Sequence, residues 1–111
     1  MKKITLHIDT SVSQEARIEV SMDGHVFSKK APDDGSRSQA LLRLIESLLT
    51  QHNVPLSAIT EITVVTGPGS FTGIRVGLAV ANTLATLLGI PVNGLPAGKA
   101  GKKVLATPTY S

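Results

Sequence analysis

The stretch "EITVVTGPGSFTGIRVG", Glu61 to Gly77, decides how this chain is read. An apolar run ends in a segment with four glycines, one proline and one arginine, and helix-forming sequence follows. That order resembles a phosphate-binding loop between a strand and a helix. The spacing does not fit one. A nucleoside-triphosphate loop needs G-x-x-x-x-G-K-[ST], and Gly73 is followed by Ile74 instead of lysine. A dinucleotide fingerprint needs G-x-G-x-x-G. "GPGSFTG" has one residue too many between Gly69 and Gly73, and no acidic residue follows about 20 positions on. The remaining reading is conformational: Gly67, Pro68 and Gly69 make a tight strand-to-helix turn, and the hydroxyl of Ser70 or Thr72 caps the helix. An accessory anion site at the helix N-terminus, helped by Arg75, stays open beside it, and Gly73 belongs to the structural loop.

The helix after the loop is expected from about Phe71 to Leu88, stopped by Gly89. It carries no charge between Val76 and Leu88. Its apolar arc exceeds about 180°, more than burial on one side requires. Gly73, Gly77, Ala81 and Ala85 recur every four residues, a ridge that allows close approach either to the helix's own sheet or to another helix. An earlier helix is expected from a cap at Ser36 or Ser38 to about His52. Its apolar positions, Leu41, Leu42, Leu44, Ile45, Leu48 and Leu49, span about 160°, where a stripe of about 100° suffices to pack on a sheet. Both arcs point to an interface with a partner.

Upstream, "KITLHID" alternates as a strand from Ile4 to Asp9. "EARIEVSMDGHVFSK" reads as a hairpin turning at Asp23-Gly24, and "KKAPDDGSRS" as a polar loop. Glu61 to Thr66 form a further strand and "IPVNGL" a short last one. The order is β-β-β-α-β-α-β, a mixed sheet with helical crossovers. The lobe spans residues 1–95, and residues 96–111 form a Gly-, Pro- and Lys-rich tail.

The chain has 111 residues, 41% hydrophobic and 17% charged, enough for one small folded domain. With 3% aromatics, Leu, Ile, Val and Ala must fill the core. The absence of cysteine removes disulfides, thiolate zinc sites and cysteine nucleophiles together. The start is no signal peptide, since Thr5, His7 and Asp9 interrupt it. No segment reaches the roughly 20 apolar residues of a membrane span. A cytoplasmic protein without membrane contact is expected. The net charge of +3 traces to Lys99, Lys102 and Lys103, either a solvated tail or a contact with RNA phosphates.

Three segments carry a family resemblance: "HIDTS" (7–11), "RSQALLRLIESLL" (37–49) and "ITVVTGPGSFTGIRVGLAVANTLATLLGIPVNG" (62–94). Together they resemble the N-terminal domain of the bacterial TsaB family of tRNA threonylcarbamoyladenosine biosynthesis proteins, over about residues 3–95. The resemblance implies a ribonuclease H-like single lobe of the actin-like ATPase superfold. It implies a non-catalytic subunit without a cofactor that supports a paralogous catalytic subunit. That subunit transfers threonylcarbamoyl to the adenosine beside the anticodon of tRNAs reading ANN codons, so tRNA is reached only through the complex. Contact is expected through both helices, at Leu41, Leu44 and Leu48 on the first and Val76, Val80, Thr83 and Leu87 on the second. The apolar residues among these are expected to be exposed in the isolated lobe. Two copies are expected to pair when the catalytic subunit is absent. Family members have a second domain that this sequence lacks, which leaves a natural short form and a fragment both open.

Catalytic alternatives are weaker in the residues. Asp9 is followed by Thr10, Ser11 and Val12 rather than a glycine-containing phosphate loop. An ATP-binding enzyme would have to complete its site by dimerising. No H-E-x-x-H or G-x-S-x-G supports a protease. A self-associating structural remnant is the third alternative.

Overall fold

A computed structural model describes residues 3–12, 15–32, 38–69 and 71–94. Its elements are β1 (Ile4–Asp9), β2 (Glu15–Met22), β3 (His25–Pro32), α1 (Ser38–Gln51), a 3₁₀ turn (Leu56–Ala58), β4 (Glu61–Val64) and α2 (Phe71–Leu88). The tail and the proposed cap Ser36 lie outside the described residues, and Ser38 is the first helical residue of α1.

The sheet order is β3-β2-β1-β4. β1 runs antiparallel to β2 and β2 to β3, whereas β4 lies parallel to β1. A parallel neighbour needs a crossover, which α1 supplies. The β2–β3 hairpin closes through Asp23 (φ 51°) and Gly24 (φ 79°). Two positive φ values make a type I′ turn, whose twist matches the strands.

Alternation decides which face is covered. Ile4, Leu6 and Ile8 of β1 are buried, as are Ala16, Ile18 and Val20 of β2 and Ile62 and Val64 of β4. Their neighbours Thr5, His7, Asp9, Arg17 and Glu19 are not. One face therefore carries the core, and both helices pack there in a single apolar cluster. The other face is polar, with hydrogen bonds from Thr5 Oγ1 to Glu61 Oε1 (2.8 Å) and between His7 Nδ1 and Thr63 Oγ1. The Thr5 hydroxyl holds the Glu61 carboxyl below its usual range; partial burial opposes this and the Lys3 ammonium adds to it. Such a group stabilises the fold above its unfolded pKa, and that contribution is lost as pH falls.

Both helices end on left-handed residues. Asn53 (φ 55°) follows α1 and Val54 N donates to Leu49 O (2.9 Å). Gly89 (φ 69°) follows α2 and Ile90 N donates to Ala85 O (3.0 Å). This satisfies carbonyls that the helix itself leaves open.

Three boundaries differ from the sequence reading. Lys29 to Pro32 extend β3 rather than opening a loop, because their backbone pairs with Glu15 to Ile18. β4 stops at Val64. Among the described residues 90–94 of "IPVNGL" there is no strand but one parallel bridge, Val92 to Ile62, and Leu95 lies outside the described residues. Beyond it the Asn93 side chain stands in for a backbone. Its Oδ1 accepts from Val64 N (2.8 Å) and its Nδ2 donates to Val64 O (3.1 Å). Asn93 has φ 48° and Gly94 φ 83°, conformations that turn the chain away from the edge.

Candidate functional site

The glycine loop is shaped by the neighbouring end of β1. Gly67 (φ 133°) and Gly69 (φ 153°) occupy backbone regions that side chains disfavour, and the Gly67–Pro68 peptide is cis. A Cβ on Gly69 would lie 2.6 Å from Ser11 O and 2.7 Å from Ser11 Cβ. Ser11 is itself held by Asp9, whose Oδ1 accepts from Ser11 N (2.9 Å) and Ser11 Oγ (2.6 Å). Thr10, the one buried polar residue among those described, donates from Oγ1 to Gly73 O (2.6 Å). A Cβ on Gly77 would collide with Thr10 Oγ1 and would touch Val64 and Ile8. The two segments thus lock together through backbone approach, a role for Thr10 that no sequence pattern marks. Ser70 lies outside the described residues. Thr72 and Arg75 are exposed on the first turns of α2.

Gly69→Ala combines an unfavourable φ with a direct clash, so a loss of about 1–3 kcal/mol is expected. A thermal melt reads it, and a nucleotide titration of both forms checks that no ATP affinity disappears with it. Tight ATP binding by the parent chain, lost at unchanged stability, would contradict a conformational role.

The helix residues proposed as interface divide into two sets. Leu41 (1% exposed), Leu44 (8%), Leu48 (2%) and Val80 (4%) are buried within the lobe, which corrects the expectation that they are free surface. Each helix has two neighbours, the sheet and the other helix. Ile74, Leu78 and Ala85 face inward as expected. The small-residue ridge packs on the helix's own sheet, where Gly77 meets β1 and β4 and Ala81 and Ala85 are fully buried. Internal packing thus accounts for most of both wide arcs.

What stays outside is narrower. Leu87 is 73% exposed and Leu42 44%. Thr83 and Ala79 are exposed and Val76 half-buried. Leu42 and Ala79 were not among the proposed contacts. A notch of about 130 Å³ lies between Ser38, Leu42, Ala79, Val80 and Thr83. A mainly apolar groove of about 380 Å³ continues along Leu42, Ile45, Leu49, Val54, Leu56 and Leu84. The uncovered sheet face holds a cavity of about 560 Å³ with mixed charge from Asp9, Arg17, Glu19 and Lys30. Among the described residues no three His, Cys, Asp or Glu side chains converge as metal ligands, and no helix is long and apolar enough to cross a membrane.

A mixed sheet with two helices on one face, joined through a glycine turn that abuts the end of β1, defines an α/β lobe of the ribonuclease H-like, actin-like class. The solved structure of YeaZ from Pseudomonas aeruginosa superposes with a TM-score of 0.74 at 32% identity, covering 81% of this chain and 42% of that one. A second structure is titled an uncharacterized protein with similarity to peptidase YeaZ from Pseudomonas aeruginosa. It gives a TM-score of 0.75 at 32% identity, with 81% and 41% covered. The family model described as TsaD, tRNA N6-adenosine threonylcarbamoyltransferase, matches residues 27–100. The tRNA threonylcarbamoyladenosine biosynthesis protein TsaB of Escherichia coli K12 is 30% identical over 90 residues, 81% of this chain and 38% of the relative. The protein of the same name from Buchnera aphidicola subsp. Schizaphis graminum is 28% identical over 95 residues, 86% and 45%. The chain belongs to this threonylcarbamoyltransferase family and within it is TsaB-like. It spans less than half the length of these relatives.

Proposed function

We propose that this chain is a non-catalytic subunit of the machinery that installs threonylcarbamoyl on the adenosine beside the anticodon of tRNAs reading ANN codons. It docks the paralogous catalytic subunit through the outer face of α1 and α2. The observation that carries the reading is the uncharged strip Val76–Ala79–Thr83–Leu87 beside Leu42, with two notches between the helices. An exposed apolar strip of this kind on a small lobe favours association with another protein surface. Relatives named for threonylcarbamoyladenosine biosynthesis supply the process.

The state of Asp9 supports a supporting rather than a catalytic role. One of its carboxylate oxygens takes two hydrogen bonds from Ser11, so the group already serves as the anchor of its own loop. The peptidase wording attached to one neighbour finds little footing in the histidines. His7 is bonded to Thr63, and His52 stacks on Phe27 with ring centres 3.9 Å apart.

Reconstitution tests the reading. The catalytic subunit, tRNA and this chain are combined, and modified adenosine is quantified with parent chain and with Asp9→Asn. Activity that depends on adding the chain and stays within about twofold of parent in the variant is expected, since about 0.4 kcal/mol corresponds to a factor of two. Loss of activity with the complex still assembled would contradict the proposal and favour an enzyme whose ATP site is completed by dimerisation.

A further inference from the structure

Of the chain's three asparagines, Asn93 alone precedes a glycine. A side-chain amide followed by glycine is open to attack by the next backbone nitrogen, because no Cβ shields that nitrogen. The fold restrains this one. Asn93 N donates to Ile62 O (2.9 Å), its Oδ1 accepts from Val64 N (2.8 Å), and its Nδ2 donates to Val64 O (3.1 Å). Both amide atoms are held against β4, so approach of the amide carbon to Gly94 N requires the clamp to open. Asn93 and Gly94 are nevertheless exposed, at the edge of the sheet. We propose that Asn93 is a site of spontaneous deamidation, gated by its clamp on Val64 and irreversible once passed.

The step needs only water. When the clamp opens, base takes the Gly94 amide proton and the nitrogen attacks Asn93 Cγ. A bond from Gly94 N to Cγ forms, the Cγ–Nδ2 bond breaks, and ammonia leaves with a proton from water. Water then opens the cyclic imide at either carbonyl, leaving aspartate or isoaspartate at position 93. Nothing is oxidised or reduced. Aspartate lacks the Nδ2 donor, so a carboxylate oxygen would face Val64 O and repel it. Isoaspartate adds a methylene to the backbone and shifts the group out of register. Neither product re-forms both bonds. Val64 ends β4 and leads into the glycine turn, so the modification loosens the strand end from which that turn departs. The other asparagines are protected differently. Asn53 also has a left-handed φ, but β-branched Val54 follows it, with its N–H already bonded to Leu49 O. Asn82 lies within α2 before Thr83, where the helix fixes the backbone. The site does not depend on the docking proposed above.

Peptide mass spectrometry of the full 111-residue chain tests this. Trypsin releases Val76 to Lys99 as one peptide, so Asn82 is an internal control for Asn93. Incubated at mildly alkaline pH, the native chain is expected to deamidate at 93 and not at 82. The rate should be about tenfold or more below that in urea at the same pH, where the clamp is absent. Asn93→Asp is expected to fold but to melt about 4–8 °C below the parent, the shift that losing one hydrogen bond brings to a lobe of this size. Equal rates in native buffer and in urea would overturn the gate. No product at 93 after about a hundred half-lives of the urea sample would overturn the site, since a chain-end segment with few contacts opens more often than that. An Asn93→Asp variant that melts with the parent would overturn the irreversible release.

Discussion

Val80→Glu should leave the lobe largely unfolded. Val80 is 4% exposed and sits beneath the notch between α1 and α2. The substitution loses about 1.5–3 kcal/mol of apolar burial. It also places a carboxylate where no counter-charge is described, a cost large enough that the group must neutralise or the helices must part. The combined cost of several kcal/mol is comparable with the whole stability of a small domain, about 5 kcal/mol at the low end. Circular dichroism with a thermal melt checks it. A variant that melts with the parent chain would mean that Val80 faces solvent, and that α2 is rotated from its position here.

Val80 also shows what the sequence could and could not say. The limits of β1, the Asp23-Gly24 turn and the Gly89 stop were legible because each rests on local rules: strand alternation, a type I′ turn, and a residue that accepts positive φ. The mixed sheet was legible from the order of elements. The wide arcs on α1 and α2 were also correctly seen, but their cause was assigned to an outside partner. Periodicity gives the width of an apolar face, not how many neighbours divide it. Here the sheet takes one side of each helix and the other helix takes a second, so Leu41, Leu44, Leu48 and Val80 are consumed internally. On α1 the surplus lies at the opposite edge of the arc, at Leu42 rather than Leu44.

The remaining misreadings have the same origin in tertiary contact. "IPVNGL" has strand propensity, yet among its described residues only Val92 bridges to Ile62, since the Asn93 side chain occupies the Val64 backbone. Thr10 enters the sequence reading only as the residue that follows Asp9 where a phosphate loop would need glycine. Its hydroxyl is buried against Gly73 and Gly77, a contact between segments 63 residues apart that no local pattern encodes. The glycine loop was read as conformational rather than phosphate-binding from spacing alone, and the clash at Ser11 supplies the physical reason for Gly69.

Leu87→Glu should have the opposite character to Val80→Glu. The side chain is 73% exposed, so a carboxylate there stays solvated in the free lobe. A surface change of this kind is usually within about 0.5 kcal/mol of neutral for folding. In a complex that covers the strip, the same carboxylate would be desolvated against an apolar partner. Loss of only about 1.4 kcal/mol already lowers affinity tenfold, and the effect should be at least that. Ser28→Glu, on the uncovered sheet face, introduces the same charge away from the strip and serves as the control.

The most direct measurement is therefore a calorimetric titration of the catalytic subunit into parent chain, Leu87→Glu and Ser28→Glu, each first shown to melt like the parent. Docking through the outer face of α1 and α2 predicts parent-like affinity for Ser28→Glu and a tenfold or greater loss for Leu87→Glu. Parent-like affinity for Leu87→Glu, with the loss falling on Ser28→Glu instead, would contradict it and move the interface to the open face of the sheet.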